Sequence, residues 1–379
     1  MPDWDPAATH VLGDQRAAYD RMRERCPVAY SDLMGWSLFR HDDVVQVLLD
    51  HDAFSNVVSQ HRSVPNGMDP PEHTAYRNII EPYFSRERVA AFEPVCREIV
   101  AELMDGVLAR GDMELMSEFA LPEAVRVQCA FLGWPSTLHE PLIAWTEKNR
   151  QATLAQDRSA LAVLAQAFQD LVVDMLEQRR QSGAALDGDV TAALMRETVD
   201  ARPLSDPEIT SILRNWTVGE IGTIAASIGI LIHYLAEHPA LQARLRGQPA
   251  LLPRAIDEML RLHGPLVANR RVATRAVTLG GRAIDAGERI SVNWISANRD
   301  ERVFDDATAF NLDRDPADNL LFGAGIHVCP GAPLVRMQLR VTLEEFLRRT
   351  RGIDFNPNAA PALEVYPASG FASLPLRLS

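Results

Sequence analysis

The stretch that most constrains this chain of 379 residues lies near its C-terminal end and reads Phe-Gly-Ala-Gly-Ile-His-Val-Cys-Pro-Gly over residues 322–331. Two glycines two positions apart add backbone freedom and no side chain, so they suit a tight loop better than a strand or helix interior. Apolar residues then recur at helical spacing from Leu334 to Phe346, which puts Cys329 at or just before a helix N-terminus. Amide N–H groups and the helix dipole favour a thiolate there, and such a thiolate can serve as the axial ligand of a haem iron.

Two other interpretations of Cys329 are an inert buried thiol and a zinc site shared with His327. A zinc site needs further Cys or His ligands at short spacing, and none lies nearby in the sequence. The whole stretch resembles the cysteine-ligand loop of the cytochromes P450, whose pattern is Phe-Gly-x-Gly-x-His-x-Cys-x-Gly, and every fixed position is met. The resemblance implies that Cys329 binds the haem iron and that Phe322, Gly323 and His327 contact the haem.

The composition is that of a soluble globular protein with a sizeable core. Hydrophobic residues make up 47% of the chain and charged residues 23%. The formal net charge of −13 argues against non-specific binding to nucleic acid, which is itself negative. The length admits one large domain or several smaller ones. Motifs of the resembling family follow one another in the expected order almost throughout, so we expect one domain over residues 1–379.

Cysteine usage and hydropathy predict a cytoplasmic protein without a membrane anchor. The cysteines are widely scattered and form no disulfide or Cys-x-x-Cys framework: Cys26, Cys96, Cys129 and Cys329. The N-terminus has no basic region followed by an apolar run, so no signal peptide is predicted. The most apolar stretch, Ile221 to Leu235, contains two glycines and is flanked by Glu220 and Glu237, so we expect no membrane span.

Helical periodicity dominates the chain, and short alternating segments supply the rest. Helices are predicted over 14–25, 42–49, 87–109, 117–132, 138–155, 157–182 and 255–262, with others beginning near residue 71 and after Cys329. Strands are predicted over 28–30 and 36–39, within 267–300 and within 353–379. The fold class is therefore mainly α with small β-sheets, and the resemblance implies the cytochrome P450 fold with a long central helix across the haem.

That central helix is predicted from a capping box, Ser205-Asp-Pro-Glu208, to the His238-Pro239 pair. Roughly 30 residues without a break imply a helix that crosses the whole domain. Gly219 and Gly222 weaken it and let another group approach its backbone. A flat cofactor or a closely packed neighbouring helix would each account for the two glycines.

In cytochromes P450 an acid commonly stands directly before a threonine of this helix, and the pair relays protons to dioxygen. Counting back from His238-Pro239 assigns Thr223 to the threonine, but Gly222 stands where the acid is expected. Glu220 lies three residues upstream of Thr223, a spacing that leaves both on adjoining faces of the helix. We therefore take Glu220 and Thr223 as the catalytic candidates. The alternative is that Glu220 is a structural or substrate-facing acid.

Three cationic side chains are candidates for holding the haem propionates. His73 and Arg77 have i, i+4 spacing, which by itself is also typical of a solvated polar face. The segment resembles the His-x-x-x-Arg signature of the P450 family, which binds propionates, and Arg271 matches the family's strand arginine. The Glu258-x-x-Arg261 pair and Arg314 match a structural triad of the family. Val57, Val58 and Val64, in a loop that covers the substrate pocket in the family, are candidate substrate contacts.

The resemblance implies a haem b monooxygenase that inserts one oxygen atom of O2 into a small to medium organic substrate. No flavin or iron–sulfur motif is present, so NAD(P)H electrons are expected through a separate ferredoxin or flavodoxin and its reductase. We expect a monomer and an electron-donor docking face formed by a basic patch of Arg77, Arg86, Arg336 and Arg340. A peroxygenase driven by H2O2 and a non-catalytic haem sensor are the alternatives.

The role of Cys329 is testable by the Cys329→Ser substitution. Removing the thiolate should leave the protein folded but poor in haem, and should abolish the red-shifted absorption band of the reduced carbon monoxide complex. A variant that keeps this band would show that another residue binds the iron.

Overall fold

The computed structural model describes residues 2–59, 62–182 and 188–379. In these ranges the helices are α1 Thr9–Gly13, α2 Gln15–Arg25, α3 His41–Leu49, α4 Glu72–Ile80, α5 Arg86–Leu108, α6 Leu121–Leu132, α7 His139–Leu154, α8 Arg158–Ser182, α9 Val190–Leu194, α10 Asp206–Glu237, α11 Pro239–Gly247, α12 Leu252–His263, α13 Trp294–Ala297 and α14 Ala332–Arg349. The strands are β1 Val28–Ser31, β2 Gly35–Leu38, β3 Phe54–Ser55, β4 Asp112–Glu114, β5 Thr198–Val199, β6 Arg202–Pro203, β7 Ala268–Ala273, β8 Val277–Leu279, β9 Arg282–Ile284, β10 Arg289–Asn293, β11 Ile353–Phe355, β12 Ala362–Leu363, β13 Phe371–Ser373 and β14 Pro375–Leu378. The predicted fold class, mainly α with small sheets, is confirmed.

Helix α10 is the axis of the molecule and runs for 32 residues, about 48 Å at 1.5 Å per residue. The predicted capping box is present, because the Ser205 hydroxyl and the Glu208 carboxylate each satisfy an amide of the first turn. The helix ends at His238, directly before Pro239, as the sequence indicates. Helices α6, α8, α12 and α14 pack around it and bury most of its apolar side chains.

Two helices are apolar and long enough to cross a membrane when judged by length and composition alone: Arg158–Gln181 and Asp206–Glu237. In the second, 61% of the apolar window is buried inside the protein, as in the core helix of a globular protein. In the first, 22% of the window is buried.

The largest sheet has the strand order β1-β2-β10-β7-β3, in which β2 and β10 are parallel and the other neighbours antiparallel. Strand β7 pairs Arg271 with Ile290 of β10, so the sheet fixes the direction of the Arg271 side chain. Helix α3 covers one side of this sheet with Val44, Val47 and Leu48. A second sheet has three strands in the order β11-β14-β4.

A buried ion network links α12 to the segment before the cysteine loop. The Arg261 side chain has no exposed surface and donates to both carboxylate oxygens of Glu258, over 2.7 and 2.9 Å. Arg261 also donates to the carbonyls of Asn298 and Ala307, and Arg314 donates to Glu258 over 3.1 Å. The predicted contact of Arg314 with the Glu258–Arg261 pair is therefore present.

Arg261→Ala should lower the free energy of unfolding by about 3–5 kcal/mol, because it leaves the Glu258 carboxylate buried with half of its partners lost. Urea unfolding followed by circular dichroism measures the change. Arg377→Ala is the matched control, since Arg377 forms an exposed ion pair with Asp112 that contributes little. Equal unfolding midpoints for the two variants would contradict the structural role of Arg261.

Candidate functional site

A cavity of about 460 Å³ lies between α10, the cysteine loop and strand β7. Of the ten residues proposed from the sequence for catalysis or haem binding, these nine line it: Arg77, Gly219, Glu220, Thr223, Arg271, Phe322, Gly323, His327 and Cys329. The tenth, His73, lies directly behind the wall, with its ring centroid 4.2 Å from that of His327. Residues from distant parts of the chain thus meet around one space, with Cys329 on one wall and the α10 backbone opposite.

The cysteine loop presents the Cys329 sulfur to the cavity at the N-terminus of α14. The Cys329 amide donates to the Phe322 carbonyl over 2.8 Å, and the Ala332 amide donates to the Cys329 carbonyl over 3.4 Å. The backbone amides of Gly331 and Ala332 also act to lower the pKa of the Cys329 thiol. Gly325 has φ +70°, and a Cβ there would lie 2.5 Å from the Leu48 carbonyl oxygen, so only glycine fits this turn.

Burial, and secondly the nearby Glu220, raise the pKa of the Cys329 thiol to about 11 in the absence of a bound cation. A metal ion bound to the sulfur overrides this effect and holds the thiol deprotonated. Within the described ranges no group of three or more His, Cys, Asp or Glu residues could hold a metal ion. The zinc interpretation of Cys329 and His327 therefore finds no further ligand there.

One edge of the cavity carries buried cationic and imidazole groups that lack anionic partners. Both ring nitrogens of His73 and Nε2 of His327 are buried without a hydrogen-bond partner among the residues that the structure describes. Burial and neighbouring positive groups lower the pKa of His327 to about 3, and the same causes lower the pKa of His73. Arg271 is also buried, and within the described residues its guanidinium has one hydrogen bond, to the Arg270 carbonyl over 2.8 Å. Two carboxylates of a flat cofactor would supply the missing acceptors, so the residues fit haem.

Arg77 lies at the same edge of the cavity and also contacts the cysteine loop. Its guanidinium donates to Glu81 over 2.8 Å and to the carbonyl of Val328, the residue before Cys329. Arg77 is buried, and its hydrogen bond to Val328 connects α4 to the cysteine loop. Its contact with a propionate stays a prediction.

On the opposite wall, the Thr223 hydroxyl donates within its own helix, to the carbonyls of Gly219 and Glu220 over 2.9 and 3.0 Å. The Glu220 carboxyl extends away from it across the cavity, and a Cβ built on Gly331 would lie 2.9 Å from Glu220 Oε1. Glu220 Oε2 is buried and has no partner, and burial raises the pKa of this carboxyl to about 8. The expected contact between the Glu220 carboxyl and the Thr223 hydroxyl is absent from these side-chain positions.

Several residues that line the cavity had no signal in the sequence. The loop after β3 contributes Asn56, Pro65 and Asn66, whereas Val57, Val58 and Val64, which we expected, do not line it. Val64 packs into the core, and Val57 is exposed. Trp216 of α10 and Trp294 of α13 also line the cavity. Whether these residues line the cavity depends on the direction of their side chains, which sequence motifs do not predict.

Arg271→Met should release haem about 10- to 100-fold faster, because the propionate loses a charged hydrogen-bond donor worth about 1.5–3 kcal/mol. The measurement is haem transfer to an excess of apomyoglobin. Arg270→Met is the matched control, since Arg270 precedes Arg271 on β7 but is exposed and does not line the cavity. Equal release rates for wild type and Arg271→Met would remove Arg271 from the haem site.

Comparison with known proteins agrees with this geometry. The family model for cytochrome P450 matches residues 149–353. The chain is 34% identical to nocardicin C N-oxygenase of Nocardia uniformis subsp. tsuyamanensis, over 93% of this chain and 91% of that protein. It is 31% identical to the cyclomarin C epoxidase CymV of Salinispora arenicola, over 88% of each chain.

Solved structures share the fold over nearly the whole length. The crystal structure of CYP109E1 from Bacillus megaterium in complex with testosterone superposes with a TM-score of 0.85 at 28% identity, covering 96% of this chain and 99% of that chain. A mutant of P450 EryK in complex with erythromycin B gives a TM-score of 0.87 at 27% identity, with 97% of each chain covered. This chain therefore belongs to the cytochrome P450 family, with the haem cofactor and the monooxygenase class of that family.

Proposed function

We propose that this monooxygenase inserts one oxygen atom of O2 into a small to medium organic molecule, with electrons from separate redox proteins and a proton supplied by Glu220. The observation that carries the proposal is that Cys329 and the Glu220–Thr223 segment line the same cavity, on opposite walls. Haem bound there supplies dioxygen activation, which an axial thiolate promotes by donating electron density. The chain's own residues have to hold the haem, admit the substrate and deliver protons.

The cysteine loop and the cavity edge formed by His73, Arg271 and His327 would hold the haem. Cys329 would bind the haem iron through its sulfur, and the amides of Gly331 and Ala332 would disperse part of the charge on that sulfur. His73, Arg271 and His327 would donate to the propionates. Gly219 leaves the facing surface of α10 open, since a Cβ there would meet no atom within 4 Å. This lets a flat ring approach the helix backbone.

Glu220 is suited to deliver protons because it is the one acidic side chain among the residues that line this cavity in the described part of the chain. A carboxyl kept neutral by burial can donate a proton, as general acids in apolar sites do. Its side chain has enough rotatable bonds to turn from the cysteine loop toward the Thr223 side of the helix. The Thr223 hydroxyl, one turn away, would then orient the oxygen that receives the proton. The alternative role of Glu220 is to face the substrate.

The substrate is expected to be a natural product or lipid of moderate size that combines apolar surface with hydrogen-bonding groups. Two similar proteins are named for an N-oxygenation and an epoxidation of such compounds, nocardicin C and cyclomarin C. The cavity lining also combines apolar side chains with the side-chain amides of Asn66, Asn215 and Asn269. This mixture favours a partly polar organic substrate.

A separate ferredoxin or flavodoxin is proposed as the electron donor, but three of the four arginines predicted for its docking are buried or paired with acids. Arg77 is buried, Arg340 is paired with Glu93 and Glu344, and Arg336 is paired with Asp257. Only Arg86 of that set is exposed without an ion pair to a described residue. Charges that are already neutralised in pairs contribute little to steering an acidic partner.

Turnover with NADH, a ferredoxin reductase and a ferredoxin tests the monooxygenase proposal. Candidate substrates can be found first by ligand-induced shifts of the haem Soret band. Product formed in proportion to NADH consumed is the expected result. Product formation from H2O2 alone, with none from NADH, would establish the peroxygenase alternative. Absence of turnover by both routes would favour a haem sensor.

Glu220→Gln should reduce product formation about 100-fold or more and increase the solvent isotope effect, because general acids contribute about 10²–10⁴ to such steps. Thr223→Ala should divert electrons to H2O2 while NADH consumption continues. Thr217→Ala is the matched control, since its hydroxyl donates to the Leu213 carbonyl in the same helix but does not line the cavity. Wild-type turnover and coupling in Glu220→Gln would mean that the proton enters by another path.

A further inference from the structure

Two oxidisable aromatic side chains connect the haem cavity with the protein surface. Trp216 of α10 lines the haem cavity and is otherwise buried. Tyr83, in the turn between α4 and α5, packs against it, with ring centroids 5.8 Å apart and planes inclined by 55°. This separation is normal for an aromatic contact. Because Trp and Tyr are the side chains that lose one electron most readily to a strong oxidant, the contact forms a two-step path for an electron.

Tyr83 has a proton acceptor placed for such a step. Its hydroxyl donates to Oε1 of Glu197 over 2.8 Å. A tyrosine that loses an electron becomes a strong acid, so a carboxylate at hydrogen-bond distance allows the phenolic proton to leave in the same event. The guanidinium of Arg88 lies 4.7 Å from the ring centroid on the solvent side.

The far side of Tyr83 opens into a second cavity of about 450 Å³. Phe92 and Phe131 line its apolar part, and Arg88 and Arg196 are exposed along it. Neither guanidinium forms an ion pair with a residue that the structure describes. Asp189 also lines this cavity, but its carboxylate is paired with Arg179 over 2.8 Å. The lining of this cavity therefore combines an oxidisable phenol with two guanidinium groups that can bind a small anion, while the Glu197 carboxylate lies outside the lining.

We propose that Trp216 and Tyr83 carry oxidising equivalents away from the haem when substrate oxidation fails, and that a small anionic reductant of the ascorbate class restores Tyr83 from the second cavity. Trp216 first gives one electron to the oxidised haem site. Tyr83 then returns one electron to Trp216 and passes its phenolic proton to Glu197. The reductant supplies one electron to Tyr83, and Glu197 returns the proton. The inference rests on the haem chemistry of the proposed function.

The chain contains close controls for each member of this path. Trp294 also lines the haem cavity, but it has no ring contact with a tyrosine in the described ranges. Tyr76 resembles Tyr83, because its hydroxyl donates to the Glu208 carboxylate and the Arg62 guanidinium lies 5.8 Å from its ring centroid. However, Tyr76 has no ring contact with a tryptophan in that part of the chain. The pairs Trp4–Tyr19 and Trp36–Tyr30 do not line the cavity.

The first test mixes each haem-loaded protein with H2O2 in the absence of substrate and records electron paramagnetic resonance spectra after rapid freezing. Wild type, Trp294→Phe and Tyr76→Phe should show the same tyrosyl radical. Tyr83→Phe should lose this signal, and Trp216→Phe should reduce it several-fold. Glu197→Gln should slow its appearance and increase the solvent isotope effect. An unchanged tyrosyl signal in Tyr83→Phe, or its loss in Trp294→Phe, would overturn the route.

The second test follows haem bleaching by H2O2 with and without ascorbate. Ascorbate should slow bleaching of wild type, and the protection should fall several-fold in an Arg88→Glu/Arg196→Glu variant. Arg86→Glu is the control, because Arg86 is exposed on the same helix but does not line the second cavity. Equal protection in all three would exclude the anion site.

The reduced carbon monoxide spectrum of every variant is measured before either test. A wild type without the thiolate band would overturn the proposed function and the route together. A normal band combined with a failed radical test would overturn the route alone.

Discussion

Buried hydrogen-bonding groups with too few acceptors in the described part of the chain, among them the charged guanidinium of Arg271, are the constraint on which the rest of this structure depends. Arg271, His73 and His327 face one edge of the central cavity, and burial lowers the pKa of each. Polar groups left unpaired in a protein interior are costly, so this edge favours the binding of a doubly anionic cofactor. The large β-sheet, helix α4 and the cysteine loop each contribute one part of it. Haem binding and the packing of these three elements are therefore energetically coupled.

Helix α10 forms the other wall of the cavity. Hydrogen bonds at its N-terminal end and packing along its length hold it in place. Glu208 caps its first turn and accepts two hydrogen bonds from the Arg202 guanidinium, over 2.8 and 2.9 Å. These contacts hold the pKa of Glu208 far below its usual range. Tyr76 of α4 donates to the same carboxylate. The capping acid thus joins the start of the central helix to the helix that carries His73 and Arg77.

Much of the architecture could be predicted from local pattern. The long helix, its capping box and its end before Pro239 follow from short-range rules of backbone geometry and hydrogen bonding. The segment predicted to be helical over 117–132 begins instead with a π-helical turn, Met116–Ala120, which leads into α6. Helix α11, which begins at Pro239, was not predicted. A proline that ends one helix can equally occupy the first turn of the next, and sequence pattern alone does not distinguish these cases.

The sequence by itself determined the family and predicted nine residues that line the central cavity, Cys329 among them, because these depend on residue types at fixed spacing along the chain. Only the tertiary structure decided what each long side chain contacts. Arg77 turns inward to the cysteine loop, Arg340 pairs with acids from two helices, and the Glu220 carboxyl reaches toward Gly331 instead of Thr223. The contact between Trp216 and Tyr83 also joins segments more than a hundred residues apart. Long side chains have several rotatable bonds, and the charges and cavities that select one direction come from distant parts of the chain.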